Sequence, residues 1–402
     1  MTNSHPVILA AKRTPIGRFF GGLAKVHSPH LGAYAIQGIF AENPKLAEEA
    51  KAGRVDEVLM GCVLQAGLGQ NPARQAALKG GCPDTQSALT INKVCGSGLQ
   101  AVMSAAQSIK AGDNSLVLAG GFENMTGAPY FAKIRDGAGA PKFGPMQFED
   151  HMQYDGLRCA FECWAMGNGA DYIAKKYEVS RTDQDAWSAR SHQRAAEATK
   201  NGWFKNEIVA LTGEQCNDKK SPGVSADEGI RAETTADGLA KLRPVFDKEG
   251  TVTAGNASQI SDGGAAVAVA SMAKAEQLGI KPIAKILAYH TSGVAPKDIF
   301  RAPALAVPAV IAKAGLKMSD IDLFELNEAF AAQVLQNMRE GGVPEEKVNV
   351  AGGAIALGHP IGGSGARCLV TLLHNLIRTG GKRGVVALCL GGGNAVAMVV
   401  ER

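Results

Sequence analysis

One short phrase occurs twice in this chain, far apart, and each time at the same place in the local pattern. Gly96-Ser97-Gly98-Leu99-Gln100 opens a run over 98–111 in which Leu99, Val102, Met103, Ala106 and Ile109 recur at helical spacing. Gly363-Ser364-Gly365-Ala366-Arg367 opens a second such run over 364–376. Each run leads into an apolar strand that ends in glycines, Leu118-Ala119-Gly120-Gly121 in one case and 388–393 in the other. The period is far longer than that of a solenoid repeat. The chain therefore reads as two copies of one α/β unit.

The rest of the pattern supports this. Strands are predicted at 7–9, 57–63, 88–94 and 115–119, with helices at 30–41, stopped by Asn43-Pro44, and at 98–111. From Pro282 the same grammar returns: strand 283–288, helix 304–314, strand 321–326, then Val348-Asn349-Val350, helix 364–376 and a strand pair at 385–390 and 395–400. Such βαβα alternation predicts sheets covered by helices, an α/β fold. Residues 129–257 have another texture, more polar and less regular. Thr182-Asp183-Gln184-Asp185 reads as a capping box for a charged, exposed helix through Lys200, and 216–229 as a polar loop. The apolar run 265–270 looks like the last strand of the first half. The predicted organisation is 1–128 as the first part of an N-terminal half, 129–257 as an insertion, 258–281 as the end of that half, and 282–402 as the C-terminal half.

Composition narrows the function classes. With 46% hydrophobic and 20% charged residues in a chain of 402, wholesale disorder is excluded. Aromatics are only 5% and the net charge only +4, so a base-stacking or polyanion-binding surface is not expected. Nucleic acid is accordingly not expected as a partner. The longest charge-free apolar run, 384–400, is broken by Gly391-Gly392-Gly393-Asn394, and a membrane span needs ~20 mostly apolar residues. No secretory signal is read in residues 1–15, and Val400-Glu401-Arg402 is not a peroxisomal address. Eight cysteines in so long a chain do not form a disulfide framework, so a reducing, cytoplasmic setting is expected.

Three stretches carry chemistry. In Asn92-Lys93-Val94-Cys95-Gly96-Ser97-Gly98 a cysteine stands at a strand-to-helix turn. Free backbone N–H groups and the positive helix end lower a thiol pKa and favour the thiolate nucleophile. A buried structural cysteine at a glycine turn is the other reading. Gly358-His359-Pro360-Ile361-Gly362-Gly363-Ser364 places a histidine in a rigid loop at a helix start, and histidine is the usual partner of a cysteine nucleophile. In Cys389-Leu390-Gly391-Gly392-Gly393-Asn394 a second cysteine ends a strand before a turn whose N–H groups suit an oxyanion hole. If the halves face each other, equivalent strand ends converge and bring Cys95, His359 and Cys389 together, with Asn327 at another strand end. No GxGxxG, GxxxxGK[ST] or GxSxG motif occurs. Cys159 and Cys163, four apart on a predicted helical face, lack matching histidines, so no metal site is expected.

These stretches, with Asn327-Glu328-Ala329-Phe330, Gly121-Phe122-Glu123-Asn124-Met125, Lys241-Leu242-Arg243-Pro244 and 253–258, resemble the thiolase family over essentially the whole chain. The resemblance implies a five-layer α/β/α/β/α core of two duplicated halves, an inserted loop domain that binds coenzyme A, and a homotetramer built as a dimer of dimers. It implies that Cys95 takes the acyl group, that His359 is its base, and that Cys389 moves the α-proton. Asn327 would hold a water for the enolate oxygen, and the N–H groups of Cys95 and Gly391 would hold the thioester oxygen. Arg231, Phe246, Ala254, Ser258, Ala329 and Phe330, joined by Leu157 and Met166, would line the coenzyme A site. The implied reaction is the reversible condensation of two acetyl-CoA to acetoacetyl-CoA and CoA, with no cofactor, because coenzyme A thioesters are the substrates. A degradative 3-ketoacyl-CoA thiolase for longer chains is the alternative. A decarboxylating ketoacyl synthase normally has a histidine where Cys389 stands, and a non-enzymatic lipid carrier would not need all three groups. Two departures from the biosynthetic pattern, Ala165-Met166-Gly167 after Trp164 and the run 299–303, border the acyl and pantetheine path.

Overall fold

The computed structural model describes residues 4–134 and 143–402. The N-terminal half contains β1 (Pro6–Arg13), α1 (Ser28–Glu42), β2 (Glu57–Gly61), α2 (Pro72–Gly80), β3 (Ala88–Ile91), α3 (Ser97–Ala111) and β4 (Leu116–Asn124). The inserted segment contributes α4 (Met166–Lys176) and α5 (Arg181–Lys200), after which β5 (Ser261–Ser271) completes the half. The C-terminal half follows with β6 (Ala284–Gly293), α6 (Ala302–Lys313), β7 (Leu323–Leu326), α7 (Ala331–Gly341), α8 (Ser364–Thr379), β8 (Arg383–Leu390) and β9 (Asn394–Glu401). Residues 135–142 of the inserted segment lie outside the described residues.

The duplication is visible in the hydrogen bonding. In the first half β2 runs parallel to β4, β4 antiparallel to β5, and β5 antiparallel to β1. In the second, β7 runs parallel to β8, β8 antiparallel to β9, and β9 antiparallel to β6. The parallel neighbour of β2, strand β3, has as its counterpart a single parallel bridge from Phe324 to Val348. The halves join where β1 meets β6, through Val7 with Lys285 and Ile8 with Ala284. The result is one mixed sheet in the order β7-β8-β9-β6-β1-β5-β4-β2-β3, with Gly17–Arg18 paired to β5.

Strand alternation sorts side chains into layers, because successive residues point to opposite faces. On β4, Val117 and Ala119 face a central cluster while Leu116 and Leu118 face an outer one. On β8, Val386 and Leu388 face the same central cluster while Val385 and Ala387 face the opposite outer layer. The central layer is α3 and α8, through Val102, Met103, Ile109, Leu369, Leu372 and Leu376. Helices α1 and α2 cover one outer face, and α6 and α7 the other. This is the α/β/α/β/α stack. Each fully buried large aliphatic side chain in it contributes roughly 1.5–3 kcal/mol.

The stop at Asn43-Pro44 holds, with one addition, and the reading of α5 is corrected. Pro44 does end α1, but as the first residue of a further helix, Pro44–Lys51, a position where the missing N–H costs nothing. The cap of α5 is Ser180, whose side chain accepts from the Asp183 N–H, and Thr182 lies inside the helix. Nor is α5 an exposed helix. Gln184, Trp187, Ser188, Ser191 and Ala195 are buried, and Ala195 and Ala198 pack on Ala351, Ala356 and Leu357 of the C-terminal half.

Glycine lets the two central helices touch backbone to backbone at their N-termini. A Cβ on Gly365 would lie 2.4 Å from the Leu99 nitrogen, and one on Gly98 would lie 2.9 Å from the Ala366 nitrogen. Gly365→Ala is therefore expected to destabilise the fold by about 1–3 kcal/mol or more, as an overpacked core does. Thermal unfolding of the variant checks this; an unchanged Tm would mean the helix starts are not in contact.

Candidate active site

Cys95 sits on a strained turn between β3 and α3. Val94, a β-branched residue, has φ +47, a left-handed conformation that costs roughly 1–3 kcal/mol unless its surroundings impose it. They do. Its N–H donates to Asn92 Oδ1 at 3.0 Å. Its carbonyl accepts from the Ser97 N–H at 3.0 Å and from the Ser97 hydroxyl at 2.6 Å. Ser97 Oγ also accepts from the Lys93 N–H at 2.8 Å. Gly96 cannot be larger, because its Cβ would lie 2.1 Å from a methyl of Leu390 at the end of β8. The turn of the first half is thus pressed against the strand end that follows Cys389.

His359 is buried in the loop before α8. Its Nδ1 lies 2.6 Å from Ser364 Oγ, and the Ser364 hydroxyl donates its one proton to the Pro360 carbonyl at 2.9 Å. Nδ1 therefore carries the hydrogen, and Nε2 presents its lone pair. Asn327 Nδ2 approaches that lone pair at 3.5 Å. Asn327 itself is fully buried at the end of β7, where its N–H donates to the Ala387 carbonyl at 3.0 Å.

The electrostatics correct the expectation of a resting thiolate. Burial pushes the Cys95 thiol up to about 12, although the N–H groups of Cys95 and Gly391 pull it down. Burial, and then the nearby Arg367 charge, lower His359 to about 3. Cys389 is pushed well above the usual thiol range by burial and by the charge Cys95 would carry. The helix end does point at Cys95, but loss of solvent outweighs it. Near neutral pH the resting site is two thiols and a neutral imidazole.

One cavity of about 220 Å³ collects these groups. Cys95, His359, Cys389 and Gly391 line it, together with Leu157, Met166, Phe246, Ser258, Ala329 and Phe330. Asn327 is not among its lining residues and lies against His359 Nε2. Arg231 and Ala254 are exposed and lie outside it. The departures noted in the sequence fall on its wall, since Ala165, Ile299 and Phe300 line it. Phe300 packs edge to face on Phe330 at 5.3 Å, closing an apolar cluster next to Cys389. Cys159 and Cys163 are not on a helix. They flank a turn in which the Cys163 N–H donates to the Cys159 carbonyl at 3.0 Å.

Sequence reasoning missed two buried carboxylates. Glu328 accepts from Trp187 Nε1 at 3.0 Å, Ser191 Oγ at 2.7 Å, Asn349 Nδ2 at 2.9 Å and the Ile355 N–H at 3.1 Å. It fastens the segment carrying Asn327 to the inserted helix α5. Glu123 accepts from the loop of His359. Both stand in motifs visible in the sequence, but a carboxylate's donors come from distant segments and leave no local spacing.

A duplicated α/β stack that brings two cysteines and a histidine to one cavity has the arrangement of an acyl-transfer enzyme. Family models described as "Thiolase, N-terminal domain" and "Thiolase, C-terminal domain" match residues 6–273 and 280–402. The chain belongs to the thiolase family. It is 51% identical to an acetyl-CoA acetyltransferase of Chromobacterium violaceum over 397 residues, covering 98% of this chain and 99% of that protein. It is 48% identical to one of Pseudomonas aeruginosa over 398 residues, with 98% and 99% coverage. The crystal structure of the Bacillus anthracis acetyl-CoA acetyltransferase superposes with a TM-score of 0.93 at 39% identity, covering 99% of this chain and 98% of that one.

A thiol held up to about 12 ionises only as the pH rises. Alkylation of Cys95 by iodoacetamide in the resting enzyme is therefore expected to speed up steadily from neutral into alkaline pH, with no plateau near neutrality. A plateau there, measured by mass spectrometry of the Cys95 peptide, would show a preformed thiolate.

Proposed function

We propose that the protein catalyses the reversible condensation of two acetyl-CoA to acetoacetyl-CoA and CoA. The observation that carries this reading is the convergence of Cys95, His359 and Cys389 on one apolar cavity beside the Gly391 N–H. Cys95 Sγ attacks the thioester carbonyl as its proton passes to His359 Nε2. The N–H groups of Cys95 and Gly391 take the developing oxyanion. CoA leaves with the proton and the acetyl group stays on Cys95. In the cleavage direction Cys389, a neutral thiol, protonates the departing enolate. In the condensation direction the Cys389 thiol first gives its proton to His359 Nε2, and the thiolate so formed accepts the α-proton of the second acetyl-CoA. Once protonated on Nε2, His359 donates to the enolate oxygen, with a water held by Asn327.

Leu157, Met166, Phe246, Ser258, Ala329 and Phe330 receive the acyl and pantetheine end, and Arg231 and Ala254 contact coenzyme A beyond the cavity. No metal or redox cofactor takes part in this scheme. We assign the protein to the cytoplasm, a setting its eight free thiols suit, and to the metabolism of fatty acids. We assign it a homotetramer, a reading supported by Tyr130, Phe143, Phe148 and Phe161, large apolar side chains exposed on the inserted segment.

Cys95→Ser is expected to abolish turnover, because a hydroxyl is far less ionised than a thiol. Cys389→Ala separates the two steps. The variant should still gain an acetyl group on Cys95 from acetyl-CoA, read by intact mass and peptide mapping. It should lose at least ~100-fold in acetoacetyl-CoA formation, the range of a positioned general acid/base. A folded Cys389→Ala protein that does not acylate, or a label on Cys389, would overturn the division of labour. Thiolysis of a series of 3-ketoacyl-CoA substrates tests the acetyl preference, with acetoacetyl-CoA expected to be the best substrate.

A further inference from the structure

Beneath the cavity floor lies a carboxylate to which the scheme above gives no work. Glu123, near the end of β4, is fully buried. Its Oε2 accepts from the Val63 N–H and the Gly362 N–H, both at 3.0 Å, and its Oε1 accepts from the Leu64 N–H at 3.1 Å. The Cys62 thiol points at Oε1 at 3.5 Å. Among the described residues no cationic side chain pairs with it. A carboxylate held by backbone donors from separate loops is a fastener for those loops.

The loops are informative. Gly362 belongs to the loop that carries His359, three residues on. A Cβ there would lie 2.8 Å from Glu123 Oε2 and 2.8 Å from the Phe122 carbonyl, so the loop rests directly on the carboxylate. Above it, Val63, Leu64, Met125, Met152 and Ile361 form an apolar cap against which Cys95 packs. Met125 and Ile361 of that cap line the cavity. We propose that Glu123 is a positioning residue for the acyl transfer: it pins the His359 loop of one half to the 62–64 loop of the other, and so sets where the imidazole stands relative to Cys95. This rests on the thiolase chemistry proposed above.

Charge gives the role a second signature. Cys62 and Cys95 are the titratable groups that feel Glu123, and its charge raises both thiols. Burial raises Glu123 itself to about 7, against the pull of its donors. The sign follows. Above that pH the ionised carboxylate accepts all of its donors and the loop is fastened. Below it, protonation costs an acceptor site and the loop loosens. The rate is expected to fall on the acid side of neutrality through this group.

Two variants separate position from charge. Glu123→Gln removes the charge and sets an amide NH₂ against backbone N–H donors. Glu123→Asp keeps the charge but shortens the reach to Gly362. In both, kcat for acetoacetyl-CoA formation is expected to fall on the order of 10-fold or more with KM for acetyl-CoA little changed, because coenzyme A contacts lie elsewhere. Alkylation of Cys95 at a fixed pH above neutrality should be several-fold faster in Glu123→Gln and unchanged in Glu123→Asp. The acid limb of kcat near neutral pH should vanish in Glu123→Gln. If Glu123→Gln does not fold, the Glu123→Asp comparison of kcat, KM and alkylation still decides. Wild-type kcat in a folded Glu123→Asp protein would overturn the proposal. So would a parallel collapse of kcat and KM with wild-type alkylation in Glu123→Gln. Failure of the underlying chemistry would appear differently, as a wild-type protein with no thiolase turnover.

Discussion

The close approach of two helix N-termini governs the rest of the molecule. Gly98 and Gly365 let α3 and α8 meet with backbone against backbone, and Gly121 faces Gly362 so closely that a Cβ would lie 2.1 Å from its carbonyl oxygen. No side chain fits in these contacts. The two helices begin where the two halves present their loops, so the same contact that seals the central layer also brings the Cys95 turn onto the Leu390 strand end and the His359 loop onto Glu123. Packing and chemistry share one set of glycines. That explains why the duplicated phrase is a glycine phrase in both copies.

Burial then sets the chemical character of the site. The cavity wall is mostly apolar, and behind it Arg367 pairs with Glu325 at 2.8 Å in a fully enclosed ion pair. A buried pair of this kind adds little net stability, since desolvation offsets most of the attraction. It does place a fixed positive charge behind His359, which disfavours the imidazolium. The consequence is a resting site without net charge on its reacting groups. In the proposed mechanism, proton transfer from Cys95 to His359 becomes favourable only as negative charge develops on a bound thioester, beside the N–H groups of Cys95 and Gly391.

The inserted segment is fastened to the core by polar groups. Arg13, at the end of β1 and fully buried, binds Asp227 with two hydrogen bonds at 2.7 and 2.9 Å and Glu207 at 2.6 Å. Thr371 of α8 donates to the same Glu207 at 3.1 Å. On the other side Glu328 ties α5 to the segment that positions Asn327. The three carboxylates Asp227, Glu207 and Glu328 each take more than one donor, so removing one leaves buried donors unpaired, at roughly 1–3 kcal/mol for each. These groups, with the apolar packing of α4 and α5 on the C-terminal half, hold the segment that supplies Leu157, Met166 and Phe246 to the cavity.

Much of this was legible in the sequence. Periodicity placed the strands β1 to β9 and the helices α1, α3, α6 and α8, because strands buried on both faces read as unbroken apolar runs and the central helices carry regular apolar spacing; it did not place α2 or α7. The duplicated glycine phrase announced two like halves, and the local setting of Cys95, His359 and Cys389 marked them before any geometry was known. Residues whose partners are remote were not legible. Glu123 and Glu328 look like ordinary acids until donors from distant segments converge on them. The ionisation of Cys95 was read with the wrong sign for the same reason. A sequence shows the helix end that would stabilise a thiolate, but not the solvent lost when two halves close over it. Local pattern determined which residues form the elements and which carry the chemistry. Only the tertiary structure decided their charge state and their supports, since desolvation and long-range hydrogen bonds exist only once distant segments have met.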